Sequence, residues 1–294
     1  MKPFIILLFT VLCPLLSYAQ GKSLETNLRE IIKNKKAEIG IAVILNGKDT
    51  VTVNNDRQYP MMSVFKFHQA LAVADYLQRN KLPLSTKIKI TKEDLKPDTY
   101  SPLRDKYPEG NISLTIGELL TYTLQLSDNN ACDILFHFAG APEVADKYIR
   151  SLGINQFAIV MTENDMHAEL NDCYKNWSSP LEAARLMEIF LTRKLFTDNY
   201  QDFINQTMIE CETGKNRLAK PLQGTKAVIG HKTGTGDLNA KGQLIGTNDI
   251  GFVLLPNGEH YTIAVFVKDS EESSEESSQI IANISEAVYQ YMNR

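Results

Sequence analysis

Three short clusters of reactive side chains fall in order along the 294-residue chain: Ser63-Val64-Phe65-Lys66, Ser127-Asp128-Asn129 and Lys232-Thr233-Gly234. On a helix, the Ser63–Lys66 spacing puts both side chains on one face with Cβ atoms about 5–6 Å apart. An amine is then within reach of a hydroxyl, which makes Ser63 a candidate activated nucleophile. The second cluster offers a further hydroxyl and an amide, and the third a further ammonium and hydroxyl, groups suited to relaying protons and holding an anion. Each cluster alone is a weak signal. Each occurs once in this chain, and their combination is specific.

The elements around the clusters are legible from periodicity. Pro60 to Asn80 is apolar on every side of a helical wheel, as in a buried helix, and Lys66 inside it needs a partner because an unpaired buried ammonium is costly. Upstream, Ser23 to Lys36 reads as an amphipathic helix, Ile39 to Leu45 as a strand, Asn46-Gly47 as a hairpin turn and Thr50 to Val53 as the returning strand. Thr115-Ile116-Gly117-Glu118 is a capping box opening a helix that ends near Gln125, followed by helices over Asn130 to Phe138 and Pro142 to Ser151. Phe157 to Trp177 has no clear period, and so long an irregular segment is usually functional. Ser179-Pro180-Leu181-Glu182 reads as a second capping box, for a helix reaching about Lys194. Val228 to Thr233, Ile250 to Leu255 and Tyr261 to Val267 read as strands, and the chain closes on a helix. Strands at both ends with helices between predict an α/β part beside an all-α part. The two ends share one antiparallel sheet flanked by the terminal helices, and the middle forms an inserted helical lobe. The cleft between the lobes is the expected site.

Composition narrows the function classes. Residues 1–19 carry a charged start, an apolar run of about a dozen residues and Ser17-Tyr18-Ala19, the pattern of a secretory signal with cleavage after Ala19. The expectation is an exported, periplasmic protein with no membrane segment after processing. Removing the signal takes only Lys2 from the 31 basic residues, leaving 30 against 35 acidic ones, which argues against nucleic acid as a partner. The five histidines are scattered without ligand spacing, so no metal site and no cofactor are expected. Cys132, Cys173 and Cys211 remain beyond the signal, an odd number that allows at most one internal bridge, with Cys173–Cys211 as the pairing considered.

The three clusters together match the motif set of the class A β-lactamases and penicillin-binding proteins. The chain resembles the class A serine β-lactamases from about Ser23 to its C-terminus. The long loop and the Thr after Lys-Thr-Gly are similar to the branch that includes the PER, VEB and CfxA-like enzymes. The resemblance implies the serine β-lactamase/D,D-peptidase fold as a single domain over 20–294, with an α/β lobe of about 20–60 and 218–294 and a helical lobe of about 61–217. It also implies a monomer that acts on a small β-lactam and hydrolyses penicillins or cephalosporins through a serine acyl-enzyme, giving antibiotic resistance. Under it, Ser63, Lys66, Ser127 and Glu163 are the catalytic residues. Asn129, His167, Arg217, Lys232, Thr233, Gly234 and Thr235 bind substrate. Glu163 is chosen over Glu169 because it falls 36 residues after Ser127, the family spacing; His167 then stands where most members hold the water with Asn. The family's carboxylate-binding arginine is replaced by Lys241, so Arg217 is expected to take its place. The alternative within the fold is a D,D-peptidase or penicillin sensor that is acylated without turnover, and from another class a secreted binding protein.

Overall fold

The computed structural model describes residues 23–293; the expected signal lies outside them. In chain order the elements are α1 (Leu24–Ile32), β1 (Glu38–Leu45), β2 (Asp49–Val53), β3 (Tyr59–Pro60), a 3-10 turn (Met62–Val64), α2 (Phe65–Asn80), β4 (Lys87–Ile90), α3 (Pro102–Lys106), β5 (Ile112–Thr115), α4 (Ile116–Gln125), α5 (Asn129–Ala139) and α6 (Pro142–Ser151). There follow β6 (Phe157–Ala158), α7 (Glu163–Ala168), a second 3-10 turn (Leu170–Tyr174), β7 (Trp177–Ser178), α8 (Pro180–Thr192), α9 (Asp198–Ile209), a third 3-10 turn (Lys220–Leu222), β8 (Val228–Thr235), β9 (Leu244–Leu254), β10 (His260–Ser270) and α10 (Ser274–Met292).

The two ends of the chain meet in one five-stranded antiparallel sheet of order β2-β1-β10-β9-β8. The inner strands β1 and β10 are apolar and buried on both faces because both faces are covered. One core lies between the sheet and the terminal helices, including Leu28, Val43, Tyr261, Ile281 and Val288. The larger core joins the other face to the helical lobe, where α2 packs against α4, α5, α6 and α9. That placement explains the all-round apolar pattern of α2, in which Phe65, Phe67, Leu71 and Leu77 have no solvent exposure. The edge strand β8 borders the cleft, and the register sets Thr233 opposite Asp249 and Thr235 opposite Thr247.

Several local expectations need correction. Ser63 sits in the 3-10 turn and α2 itself starts at Phe65. Ser179 accepts from the Glu182 amide, but Glu182 turns its carboxylate to the Asn155 and Gln156 amides and to Arg185, so the capping box there is half made. The segment after Phe157 folds into two short helical pieces closed by polar side chains, which periodicity does not register. The helix α9 and the small β4–β5 hairpin were not foreseen.

Candidate active site

The turn before α2 is forced into place from two sides. Asn248 on β9 donates to the carbonyls of Pro60 (2.8 Å) and Met61 (3.1 Å), and the Met61 amide donates to Asn176 O (2.8 Å). Met62 is held at φ 48°, a conformation a side chain adopts only when its surroundings impose it. The β8 strand runs directly behind this turn. A Cβ at Gly234 would lie 2.5 Å from Met61 O and 3.2 Å from Ser63 N, so glycine is required for the strand to approach the nucleophile.

From this turn Ser63 Oγ donates to Glu163 Oε1 at 3.2 Å. Lys66, fully buried, gives its ammonium three acceptors: Ser127 O at 2.7 Å, Asn129 Oδ1 at 2.6 Å and Glu163 Oε1 at 2.9 Å. An ammonium has three protons and no lone pair, so Lys66 is a saturated donor, and Glu163 is the acceptor facing Ser63. Across the cleft Lys232 Nζ donates to Ser127 Oγ (2.8 Å) and Thr233 O (2.9 Å). Burial, with the charge of Lys66, pulls the Lys232 amine down to about 7. Ser127 itself has φ 61°, which turns its carbonyl to one lysine and its hydroxyl to the other. Asp128 caps α5 through the Ala131 amide and accepts from Ser101 and Leu103, a structural task.

Glu163 opens α7, and its loop is tied down by side chain to backbone bonds. Asp133 accepts from the Glu163 and Asn164 amides, each at 2.9 Å, from a position one helical turn beyond Asn129. Burial, and then the charge of Glu163, push the Asp133 carboxyl up to about 7. Thr162 and Asp165 form a full capping box, and Asn176 receives the Val160 and Met161 amides and donates to Met161 O. Glu169, the discarded candidate, is exposed and caps the Asn171 amide.

The cleft has a volume of about 340 Å³ and is bordered by Ser63, Ser127, Asn129, Glu163, His167, Arg217, Thr233 and Thr235. His167 stands exposed at its mouth. Asn129 also donates to Thr99 Oγ1 (2.7 Å). Arg217, 6% exposed, donates to Gly234 O, Asn248 O, Thr235 Oγ1 and Ser278 Oγ, so most of its five N–H groups hold the edge strand β8, its neighbour β9 and the Thr235 hydroxyl. Lys241 lies elsewhere, in an open recess with Lys36, Glu38 and Gln243. The cysteines Cys132, Cys173 and Cys211 are free thiols. Asp133, Asn176 and Asn248 escaped the sequence reading. The first stands four residues after Asn129 on the same helical face, a usable signal; the asparagines carry none. Among the described residues no group of three side chains could hold a metal ion and no helix is long and apolar enough to cross a membrane.

The model of the beta-lactamase enzyme family matches residues 23–292. A beta-lactamase of Bacteroides uniformis is 41% identical over 98% of this chain and 97% of its own length. Beta-lactamase VEB-1 of Pseudomonas aeruginosa is 38% identical over 94% of this chain and 92% of its own. The crystal structure of the TLA-3 extended-spectrum beta-lactamase, 42% identical, superposes with a TM-score of 0.89 over 92% of this chain and 99% of that one. The chain belongs to the beta-lactamase enzyme family, as a class A serine β-lactamase of the branch of the VEB, PER and CfxA-like enzymes.

Proposed function

We propose that this class A β-lactamase opens the lactam ring with Ser63 as nucleophile and Glu163 as the base for both half-reactions. The observation that carries the assignment is the single oxygen, Glu163 Oε1, that receives both Ser63 Oγ and Lys66 Nζ. With every proton of Lys66 already engaged, the Ser63 proton passes to Glu163, directly or through a water, as Oγ attacks the carbonyl carbon. The backbone N–H groups of Ser63 and Thr235 receive the oxyanion, each such donor contributing about 3–4 kcal/mol to the transition state. Collapse of the tetrahedral intermediate breaks the C–N bond. Ser127, its oxygen already accepting from Lys232, has its own proton free to give to the departing ring nitrogen. The proton held by Glu163 passes on through Lys66 to replace the one Ser127 gave up; Glu163, again a carboxylate, then takes a proton from the water that attacks the ester carbonyl and returns it to Ser63 as the ester C–O bond breaks.

Substrate recognition follows the donors around the cleft. Lys232 and Thr233 meet the carboxylate beside the ring nitrogen. Arg217 adds its charge and aims Thr235, and the second N–H of the Asn129 amide binds the acylamino side chain opposite Thr235. His167 at the mouth hydrogen-bonds the incoming water through a ring nitrogen. The protein acts as an exported, periplasmic monomer that protects its host from penicillins and cephalosporins.

The Glu163→Gln variant tests the assignment. Ser63 should accumulate as a stable acyl-enzyme seen by mass spectrometry, with steady-state turnover down by about 10²–10⁴-fold. Rapid turnover by that variant would remove Glu163 from deacylation.

A further inference from the structure

Beneath the Lys-Thr-Gly edge of the cleft lies a second group of reactive side chains that the hydrolytic mechanism does not use. His231, 2% exposed, precedes Lys232 on β8, and its Nδ1 meets both oxygens of the fully buried Asp249 at 3.0 and 3.1 Å. Asp249 also accepts from the Leu218 amide (3.2 Å), at the base of the turn that carries Arg217. The other neighbour of His231 is Cys211, whose Sγ approaches Thr213 O (3.6 Å) and Thr213 Oγ1 (3.4 Å). Thr213 Oγ1 in turn shares a 2.6 Å hydrogen bond with Thr233 Oγ1, and Thr213 and Thr233 both face the cleft. The turn has no slack: a Cβ at Gly214 would lie 2.4 Å from Thr233 Cγ2.

We propose that Cys211, His231 and Asp249 form a buried positioning array that holds the Thr213–Thr233 pair for the substrate carboxylate, and that capping the Cys211 thiol with a small disulfide-type electrophile switches that binding off.

The array distinguishes Cys211 from the other two thiols. Burial alone would push the Cys211 thiol up, but the nearby His231 charge outweighs it, with help from Lys232, and brings it down to about 7. Burial works against the His231 cation too, yet Asp249 and Cys211 hold it well above the usual imidazole range. The charged groups facing this pair are Lys232 on β8, Asp249 on β9 and Arg217 on the adjoining turn. Cys132 is driven well above its ordinary value by burial, and Cys173 up to about 12 by burial and then Glu163. Access follows the same order, with Cys211 at 7% exposure against 0% for Cys132 and 3% for Cys173. With a methyl thiosulfonate the thiolate attacks the sulfenyl sulfur, a mixed disulfide forms at Sγ, the S–SO₂ bond breaks and methanesulfinate leaves. The added group fills the space against Thr213 and separates Thr213 from Thr233. A reducing thiol reverses the step.

The link to the carboxylate rests on the Thr233 role proposed above, so the test reads the two parts separately. Treating the native enzyme with methyl methanethiosulfonate at pH 7.5 should label Cys211 at least tenfold faster than Cys132 and Cys173, by peptide mapping. Equal rates would overturn the array. The labelled enzyme should show a KM for a penicillin raised about tenfold, the loss of one hydrogen bond to a charged group, with kcat little changed and full recovery in dithiothreitol. The methyl ester of the same penicillin, which lacks the carboxylate, should be hydrolysed alike before and after labelling. An unchanged KM after complete labelling would overturn the switch while leaving the array's reactivity standing. The Asp249→Asn variant should slow labelling of Cys211 and raise KM in parallel; because the labelling comparison uses the native protein, it holds whether or not that variant folds.

Discussion

Ser63 sits in the turn that leads into α2, and Lys66 on α2, a helix packed in the apolar core, whereas Glu163, 2.9 Å from Lys66, stands on a loop held by polar groups. The nucleophile's side of the cleft is fixed by the hydrophobic core around α2 and by the backbone of β8. The base's side is fixed by Asp133, Asn176 and the Thr162–Asp165 capping box, a handful of hydrogen bonds each of modest net value. Packing over many contacts tolerates the loss of one. A clamp of two or three bonds does not. The nucleophile is therefore built into the fold and the base is fastened to it afterwards, so the two sides of the cleft should be separable by mutation.

The largest effect is expected on the core side. Ser63→Ala should lower kcat/KM by on the order of 10⁴-fold or more with little change in thermal stability, since a hydroxyl in the cleft is removed; intact-mass detection of a β-lactam adduct would show that another group had been acylated. On the loop side, Asp133→Ala leaves two backbone amides without acceptors. We expect a stability loss of about 1–3 kcal/mol, with acylation and deacylation, which share the Glu163 base, both slowed by about 10–100-fold in stopped flow. An unchanged acylation burst beside slowed deacylation would remove Glu163 from acylation. The smallest effect is in pH dependence. Lys232 is depressed to about 7, so in the free enzyme it is cationic below that pH and neutral above it. The ratio kcat/KM for a carboxylate-bearing substrate should thus fall by about tenfold as pH rises through this region. A flat profile to pH 9 would show that Lys232 does not supply the charge.

Much of the site was legible before folding because its chemistry is local. Ser63 and Lys66 are placed by helical spacing, and the greasy wheel around Lys66 already demanded a buried partner. Glu163 was reachable only through a family spacing; no local rule separates it from Glu169, and the structure puts the first in the cleft and the second in solvent. The α9 helix lacks a readable apolar stripe, and Glu182 breaks the expected capping box because a loop 26 residues away offers its carboxylate backbone amides to accept from.

The three motifs, the buried helix and the strands at both ends are set by periodicity and side-chain type, which act over a few residues, and the acyl-enzyme chemistry follows from the family those motifs resemble. Tertiary structure decided how those parts meet. Sheet closure between the chain's two ends sets Asn248 under the Ser63 turn and places His231 and Asp249 beneath Thr233, and packing of α7 on α5 brings Asp133 to the Glu163 amide. These contacts join residues 18 to 188 positions apart, and only the packing of the two lobes on the sheet selects them.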